Sequence, residues 1–154
     1  MNNTKHTLNE LLVKIFNYIL YIEEKILKQN GIKLSMNEVH ILEMIQKSED
    51  TSMSFLAKKL MVTQGTFTTN ANRLIRKGYV RKYPDDKDKR ITRLELEDVA
   101  NSILKIHEEF HENMIDKVIR DLDLENDDLL NKTFIKIVDY FEEEYNNLTK
   151  IAKK

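Results

Sequence analysis

The sequence predicts a mostly α-helical chain carrying one small β-hairpin, and three observations lead to that expectation. Three glycines and a single proline, Pro84, in 154 residues are too few for the turns of a loop-rich sandwich and leave room for long uninterrupted helices. Apolar residues recur with a helical period over most of the chain. Between residues 79 and 96 that period gives way to β-branched and aromatic residues on either side of a tip rich in Asp, which reads as a hairpin. The length and an apolar content of 41% suffice for one well-buried core, so one compact unit is expected.

The elements follow in order. From Leu8 to about Lys28 apolar residues keep a helical period; Thr7 and Glu10 have capping-box spacing before it, and Gly31 follows its end. A second helix starts at the same device, Ser35 with Glu38, and runs to about Lys47. Ser52 or Ser54 caps a short third helix through Leu60, with Leu56, Ala57 and Leu60 inward. Thr63 caps the fourth, from Gln64 to Lys77, and Gly78 stands at its C′ position. Two short helices joined by about three residues make a helix-turn-helix. The hairpin comes next, with Pro84 tolerable at a strand end and the ribbon dependent on neighbouring helices for stability. A long amphipathic helix then spans Asp98 to about Leu122, "DLDLENDD" interrupts it, and a last helix runs from about 127 to 150. The first, fifth and last helices carry more apolar surface than a small module can cover, which implies a partner subunit.

Charge is segregated. The net charge is −1, yet residues 51 to 93 hold eleven Lys/Arg against three Asp, and the rest of the chain holds fourteen against twenty-three Asp/Glu. A basic middle between acidic flanks points to a polyanion. Cysteine is absent, which excludes disulfides and thiol-based sensing. No long apolar run and no signal-like N-terminus are present, so a soluble cytoplasmic protein without membrane contact is expected.

The fourth helix indicates what the basic middle touches. Phe67, Ala71, Leu74 and Ile75 fall within a core-sized arc, and Gly65, Thr66, Thr69, Asn72, Arg73 and Arg76 lie opposite. A solvated face would favour Glu and Lys as better helix formers. Amides instead suit adenine, threonine methyls suit thymine methyls, and arginine reads guanine. Thr63, at the helix N-terminus, can hold a phosphate together with backbone N–H groups. The tip residues Lys87, Lys89 and Arg90 can reach an adjacent minor groove. The candidate DNA-binding residues are therefore Ser54, Thr63, Gln64, Gly65, Thr66, Thr68, Thr69, Asn70, Arg73, Lys87, Asp88, Lys89 and Arg90.

"SFLAKKLMVTQGTFTTNANRLIRKGYV" followed by "DDKDKRITRLELE" resembles the winged helix of the MarR family of bacterial regulators, including a wing signature with an aspartate two residues before an arginine, here Asp88 and Arg90. The resemblance spans essentially the whole chain. It implies a six-helix winged helix-turn-helix homodimer, joined through its first, fifth and last helices, that reads a pseudo-palindromic operator in double-stranded DNA. Residues 1–34 are then an N-terminal dimerisation helix, 35–97 the DNA-binding domain and 98–154 the C-terminal dimerisation helices. Within the family, "LMVTQGTFTTNANRLIRKGY", "YIEEKIL" and "HEEFHENMIDKVI" are most similar to the FabT-type repressors of fatty-acid biosynthesis, which implies acylated acyl carrier protein as effector. That acidic carrier is expected on the basic surface between Arg73 and Arg93. Two departures stand out: Met61 occupies a turn position where many helix-turn-helix sequences have glycine, and Glu97 replaces the threonine that commonly caps helix five.

The histidines offer other readings. His107 to His111, HEEFH, matches the H-E-x-x-H zinc-hydrolase pattern, but no third-ligand motif follows and Glu108 points about 100° from His107. An enzyme is not expected. In the resembled fold His40, His107 and His111 with Glu23 or Glu24 would come near one point as an adequate zinc set, and these positions resemble the ligands of zinc-responsive members of the family, so a zinc-responsive regulator using Glu23, His40, His107 and His111 is the alternative. Otherwise no cofactor is expected. Glu23, His40, Met44, His107, Phe110, His111 and Met114 together form a candidate effector pocket, in which a buried acyl chain would release about 0.8 kcal/mol per methylene.

Overall fold

A computed structural model describes residues 3–122, 124 and 127–151. Its elements are α1 (Asn3–Gln29), α2 (Met36–Lys47), α3 (Met53–Lys59), α4 (Gln64–Arg76), β1 (Val80–Pro84), β2 (Thr92–Leu96), α5 (Asp98–Leu122) and α6 (Asp128–Ile151). The expected six helices and two-stranded wing are all present, and α3, the turn, α4 and the hairpin together make a winged helix-turn-helix.

Local chemistry explains most of the boundaries. At α2 the Ser35 hydroxyl accepts from the Glu38 N–H while the Glu38 carboxylate accepts from the Ser35 N–H, a full capping box. Glu38 also receives Lys77 Nζ at 2.8 Å, which ties the start of α2 to the end of α4. Burial acts to raise the Glu38 pKa, but the bonds from Lys77 and Ser35 outweigh it and hold the carboxyl below its usual range. At α1 the expected capping box is absent. The helix begins at Asn3, and Thr7 lies inside it with its hydroxyl donating to the Asn3 carbonyl. Nothing in "NTKH" breaks a helix, so propagation runs past the box. Ser52 occupies the N-cap position of α3, without a side-chain cap bond; Ser54 is inside the first turn.

Three helix ends share one geometry. Gly31, Met61 and Gly78 follow α1, α3 and α4 with φ of 70°, 55° and 79°. In each case two backbone N–H groups fold back onto carbonyls of the last turn, for example Val62 N to Ala57 O and Met61 N to Lys58 O, both at 3.1 Å. Glycine enters that left-handed conformation without penalty and methionine does not.

The chain divides into two compact units, Met1–Phe110 and His111–Lys154, with the division inside α5. In the first unit, Leu27 at the C-terminal end of α1 joins the same core as residues of α2, α3, α4, the wing and the start of α5. Phe67, Leu42, Leu56, Leu74, Leu94 and Val39 are its largest fully buried side chains. Phe67 anchors α4 to that core, and truncating it to alanine would cost about 3–5 kcal/mol. The strands pair antiparallel from Val80↔Leu96 to Pro84↔Thr92, placing Pro84 at a strand end as expected. No helix among the described residues is long and apolar enough to cross a membrane.

Candidate nucleic-acid interface

Thr63 caps α4: its hydroxyl accepts from the Thr66 N–H at 3.1 Å and lies 2.9 Å from the Thr66 hydroxyl. The Schellman turn at Met61 and this cap together set the angle at which α4 leaves the protein. With Phe67, Ala71 and Leu74 buried, the opposite face displays Gln64, Gly65, Thr66, Thr69, Asn72, Arg73 and Arg76, all exposed. Thr68 and Asn70 lie at the flank of that face. The Thr68 and Thr69 hydroxyls donate to the Gln64 and Gly65 carbonyls at 2.8 and 3.0 Å. Their protons are committed, so toward a duplex these side chains offer a lone pair and a methyl group. That chemistry suits an amino group on cytosine or adenine and the methyl of thymine.

Gly65 has a different role from the other two glycines. Its φ is not positive, and a Cβ built on it meets no atom within 4 Å. Neither backbone geometry nor internal packing requires glycine there, although glycine in a helix costs about 1 kcal/mol relative to alanine. Its missing side chain leaves the surface open at the start of the exposed α4 face.

The wing is built on one aspartate. Asp85 is 9% exposed and accepts from the backbone N–H groups of Lys87 and Asp88 at 2.8 and 2.9 Å, which shapes the tip. Its other oxygen receives Arg93 Nε, and Arg93 also reaches Asp50 Oδ1 at 2.7 Å. The Asp88 N–H bond, then Arg93 and the Lys87 N–H, hold the Asp85 carboxyl down at about 2. Leu94 N donates to Thr51 O at 3.0 Å, and Ser52 pairs with Arg93 as an isolated bridge, so the base of the wing is stitched to the segment before α3. At the tip Arg90 binds Asp88 through two bonds of 3.0 and 2.9 Å, with its side chain 90% exposed. This is the aspartate–arginine pair singled out in the sequence, and its geometry has the aspartate aiming the arginine. Lys87 and Lys89 flank it at the tip, and Ser54 is exposed on α3. Asp85, Arg93 and Asp50, which position the tip, were not among the expected residues. Their only sequence signal is charge complementarity at separations of 8 and 43, visible once the strand register is known.

The residues of the candidate effector pocket are distributed between the two units. In the first, Glu23 and His107 are both buried with Oε1 and Nε2 3.4 Å apart. The His40 ring meets the His107 ring edge-on at 5.7 Å. His40, Glu43 and His107 each offer a ligand atom within 4.8 Å of the others. Burial tends to raise the Glu43 pKa, but Lys47 Nζ at 2.6 Å outweighs it and the carboxyl titrates below its usual range. Met44 packs on the core and Phe110 is half-buried. His111 and Met114, both half-buried, lie on the stretch of α5 that belongs to the second unit. Glu108 is exposed while His107 is buried, so the HEEFH carboxylate does not accompany the histidine into the protein.

Residues 34–92 match the MarR family model. Among solved structures, FabT of Streptococcus pneumoniae, crystallised in complex with DNA, is 33% identical, with 90% of this chain and 98% of that one covered and a TM-score of 0.80. The regulator BldR of Sulfolobus solfataricus is 27% identical over 91% of this chain and 99% of that one, at a TM-score of 0.68. The adhesin competence repressor of Streptococcus pyogenes is also 27% identical, over 88% and 97%, at 0.65. Among curated protein sequences no match is found.

Proposed function

The chain belongs to the MarR family, as a DNA-binding transcriptional regulator and not an enzyme, and from that premise we propose that it is a homodimeric, cytoplasmic repressor of fatty-acid biosynthesis genes. Two α4 helices enter successive major grooves of a pseudo-palindromic operator, and the two wings reach the flanking minor grooves. The observation that carries this reading is the exposed polar face of α4, held by the Thr63 cap beside a wing whose Arg90 is aimed by Asp88. Identity of 33% to a FabT solved on DNA supports the narrower assignment. Base readout is assigned to Gln64, Gly65, Thr66, Thr69 and Arg73. Ser54, Thr63, Thr68, Asn70, Lys87 and Lys89 serve the backbone and the edges of the site, and Asp88 positions Arg90.

The effector is an acyl chain delivered by acyl carrier protein. The basic surface between Arg73 and Arg93 is a poorer landing site for that carrier than its sequence implies. Lys77, Arg81 and Arg93 are engaged by Glu38, Glu95 and Asp85, and the exposed cations left over lie on the DNA-reading face. A carrier that bound together with DNA would then dock outside that face.

The second reading, a zinc-responsive regulator, is favoured by the approach of His40, Glu43 and His107, two imidazoles and a carboxylate that fit zinc's donor preference. One experiment separates the two. The protein is titrated with duplexes from upstream of its own gene and of fatty-acid synthesis genes, alone, with acylated carrier protein, and with zinc. The first reading expects specific binding that acylated carrier strengthens. The second expects a response to zinc alone that His107→Ala abolishes. No specific binding under any condition rejects both.

A further inference from the structure

A duplex that takes a helix into its major groove and a wing at the neighbouring minor groove has to pass one sugar–phosphate strand between them, because the strand is what separates the two grooves. The protein has a groove at that place. It lies between the outer face of α4 and β1, has a volume of about 470 Å³, and is lined by Thr69, Asn72, Ile75, Arg76 and Lys82. Thr69, Asn72 and Arg76 follow one another along a single exposed stripe of α4, three and four residues apart. Lys82 faces them from β1.

The two cations differ from their neighbours in sequence. Lys77, next to Arg76, is held by Glu38 at 2.8 Å, and Arg81, next to Lys82, by Glu95 at 2.6 Å. Arg76 and Lys82 have no carboxylate partner among the described residues. Of these four cations, the two that line the groove are the ones available to an outside anion. The amide of Asn72 adds a donor suited to phosphate oxygens, while the Thr69 hydroxyl, whose proton goes to the Gly65 carbonyl, only borders the groove.

We propose that this groove is the track for the strand between the read major groove and the wing, with Arg76 and Lys82 each neutralising one phosphate and Asn72 donating to the same strand. The inference rests on the reading of α4 as the DNA-contacting helix. These phosphate interactions carry no sequence information; they set the register of α4 in its groove and part of the salt dependence of binding.

The test is a set of anisotropy titrations over a series of salt concentrations. Two duplexes are used, one from upstream of the protein's own gene and one with the same composition scrambled. Proteins compared are the full chain, Arg76→Gln, Lys82→Gln, the double variant, Lys82→Arg, and Arg81→Gln as a surface control. A cation that no longer neutralises its phosphate reduces the steepness of the fall of log affinity with log salt by about 0.9. Arg76→Gln and Lys82→Gln should each show that decrease on both duplexes, the double variant about twice as much, while Lys82→Arg and Arg81→Gln keep the parent slope. Unchanged slopes for the two glutamine variants, with the parent binding normally, overturn the proposal alone. A decrease confined to the upstream duplex assigns these residues to base recognition and overturns it as well. Failure of the parent protein to bind either duplex refutes the DNA reading and the proposal together.

Discussion

The fourth and sixth helices are both amphipathic, and they use that property in opposite ways. The thirteen residues of α4 bury Phe67, Ala71 and Leu74 within their own chain and turn hydroxyls, amides and arginines outward. The twenty-four residues of α6 bury none of their described side chains and leave Leu129, Phe134, Ile135, Val138, Tyr140, Phe141 and Leu148 exposed. A helix that closes its apolar face inside the chain is free to specialise the other face for a polar ligand. A helix that leaves its apolar face open offers a surface for a partner, and in the proposed homodimer a second subunit covers this stripe. Under the proposed function the two faces are coupled, because a dimer would convert two weak half-site interactions into one strong one.

The largest expected effect comes from breaking the second face while leaving the first intact. Val138→Glu puts a charge in the open stripe, and sedimentation should show a monomer whose isolated DNA-reading half is still folded. Its affinity for a two-half-site duplex should fall by about 100-fold or more, the drop expected when bivalency goes. An unchanged dimer would remove α6 from the interface.

Next is Gly65→Ala, which acts on the first face in opposite directions. Thermal unfolding should show a gain of about 0.5–1 kcal/mol, because alanine is the better helix residue and meets nothing inside the protein. DNA affinity should drop about tenfold or more if the added methyl collides with the duplex, a forced contact of this kind costing about 1–3 kcal/mol. Equal affinity would mean that nothing approaches Gly65 closely.

Asp85 sharpens the contrast through pH. Its pKa is lowered in the folded state to about 2, against about 3.9 unfolded, so the stability it contributes is present above pH ~4 and is lost as pH falls toward 2. Asp85→Asn should therefore melt earlier than the parent near neutral pH, with the gap closing as pH falls through that window. A gap independent of pH would show that the Arg93 ion pair does not hold the wing.

The smallest effect is at Met61. Glycine at this left-handed position removes about 1–2 kcal/mol of backbone strain and returns part of it as unfolded-state entropy, so Met61→Gly should stabilise by roughly 0.5–1 kcal/mol in a thermal melt. Met61 and Gly65 are thus mirror cases within one turn: a side chain where the backbone favours glycine, and glycine where the fold asks for none.

What was legible in the sequence was mostly local. The Ser35–Glu38 box, the Thr63 cap, Gly78 after α4 and the Asp88–Arg90 pair all act within four residues, a range over which spacing determines geometry. Thr7 and Glu10 had the right spacing as well, but helix continues through residues 3 to 6 and the hydroxyl turns back to Asn3 instead. Spacing marks where a cap can form, not whether the chain upstream stops being helical. Met61 was legible as an unusual residue at a turn, and its positive φ gives the reason. The ties between Arg93, Asp85 and Asp50 were illegible because they depend on strand register and on the docking of the wing against the segment before α3. The approach of His40 to His107 joins two helices far apart in sequence, and only the resemblance to a known family put them near one another beforehand. Arg76 and Lys82 became distinct from Lys77 and Arg81 only when the partners of the latter pair were seen.

The most direct test of the central claim is selection of duplexes from a random pool by the 154-residue chain, followed by sequencing of what is retained. Two protomers that each place α4 in a major groove predict enrichment of inverted half-sites whose centres lie about 10–10.5 base pairs apart, or a multiple of that repeat. Retention of duplexes without a repeated half-site, or of half-sites at no fixed spacing, would contradict it.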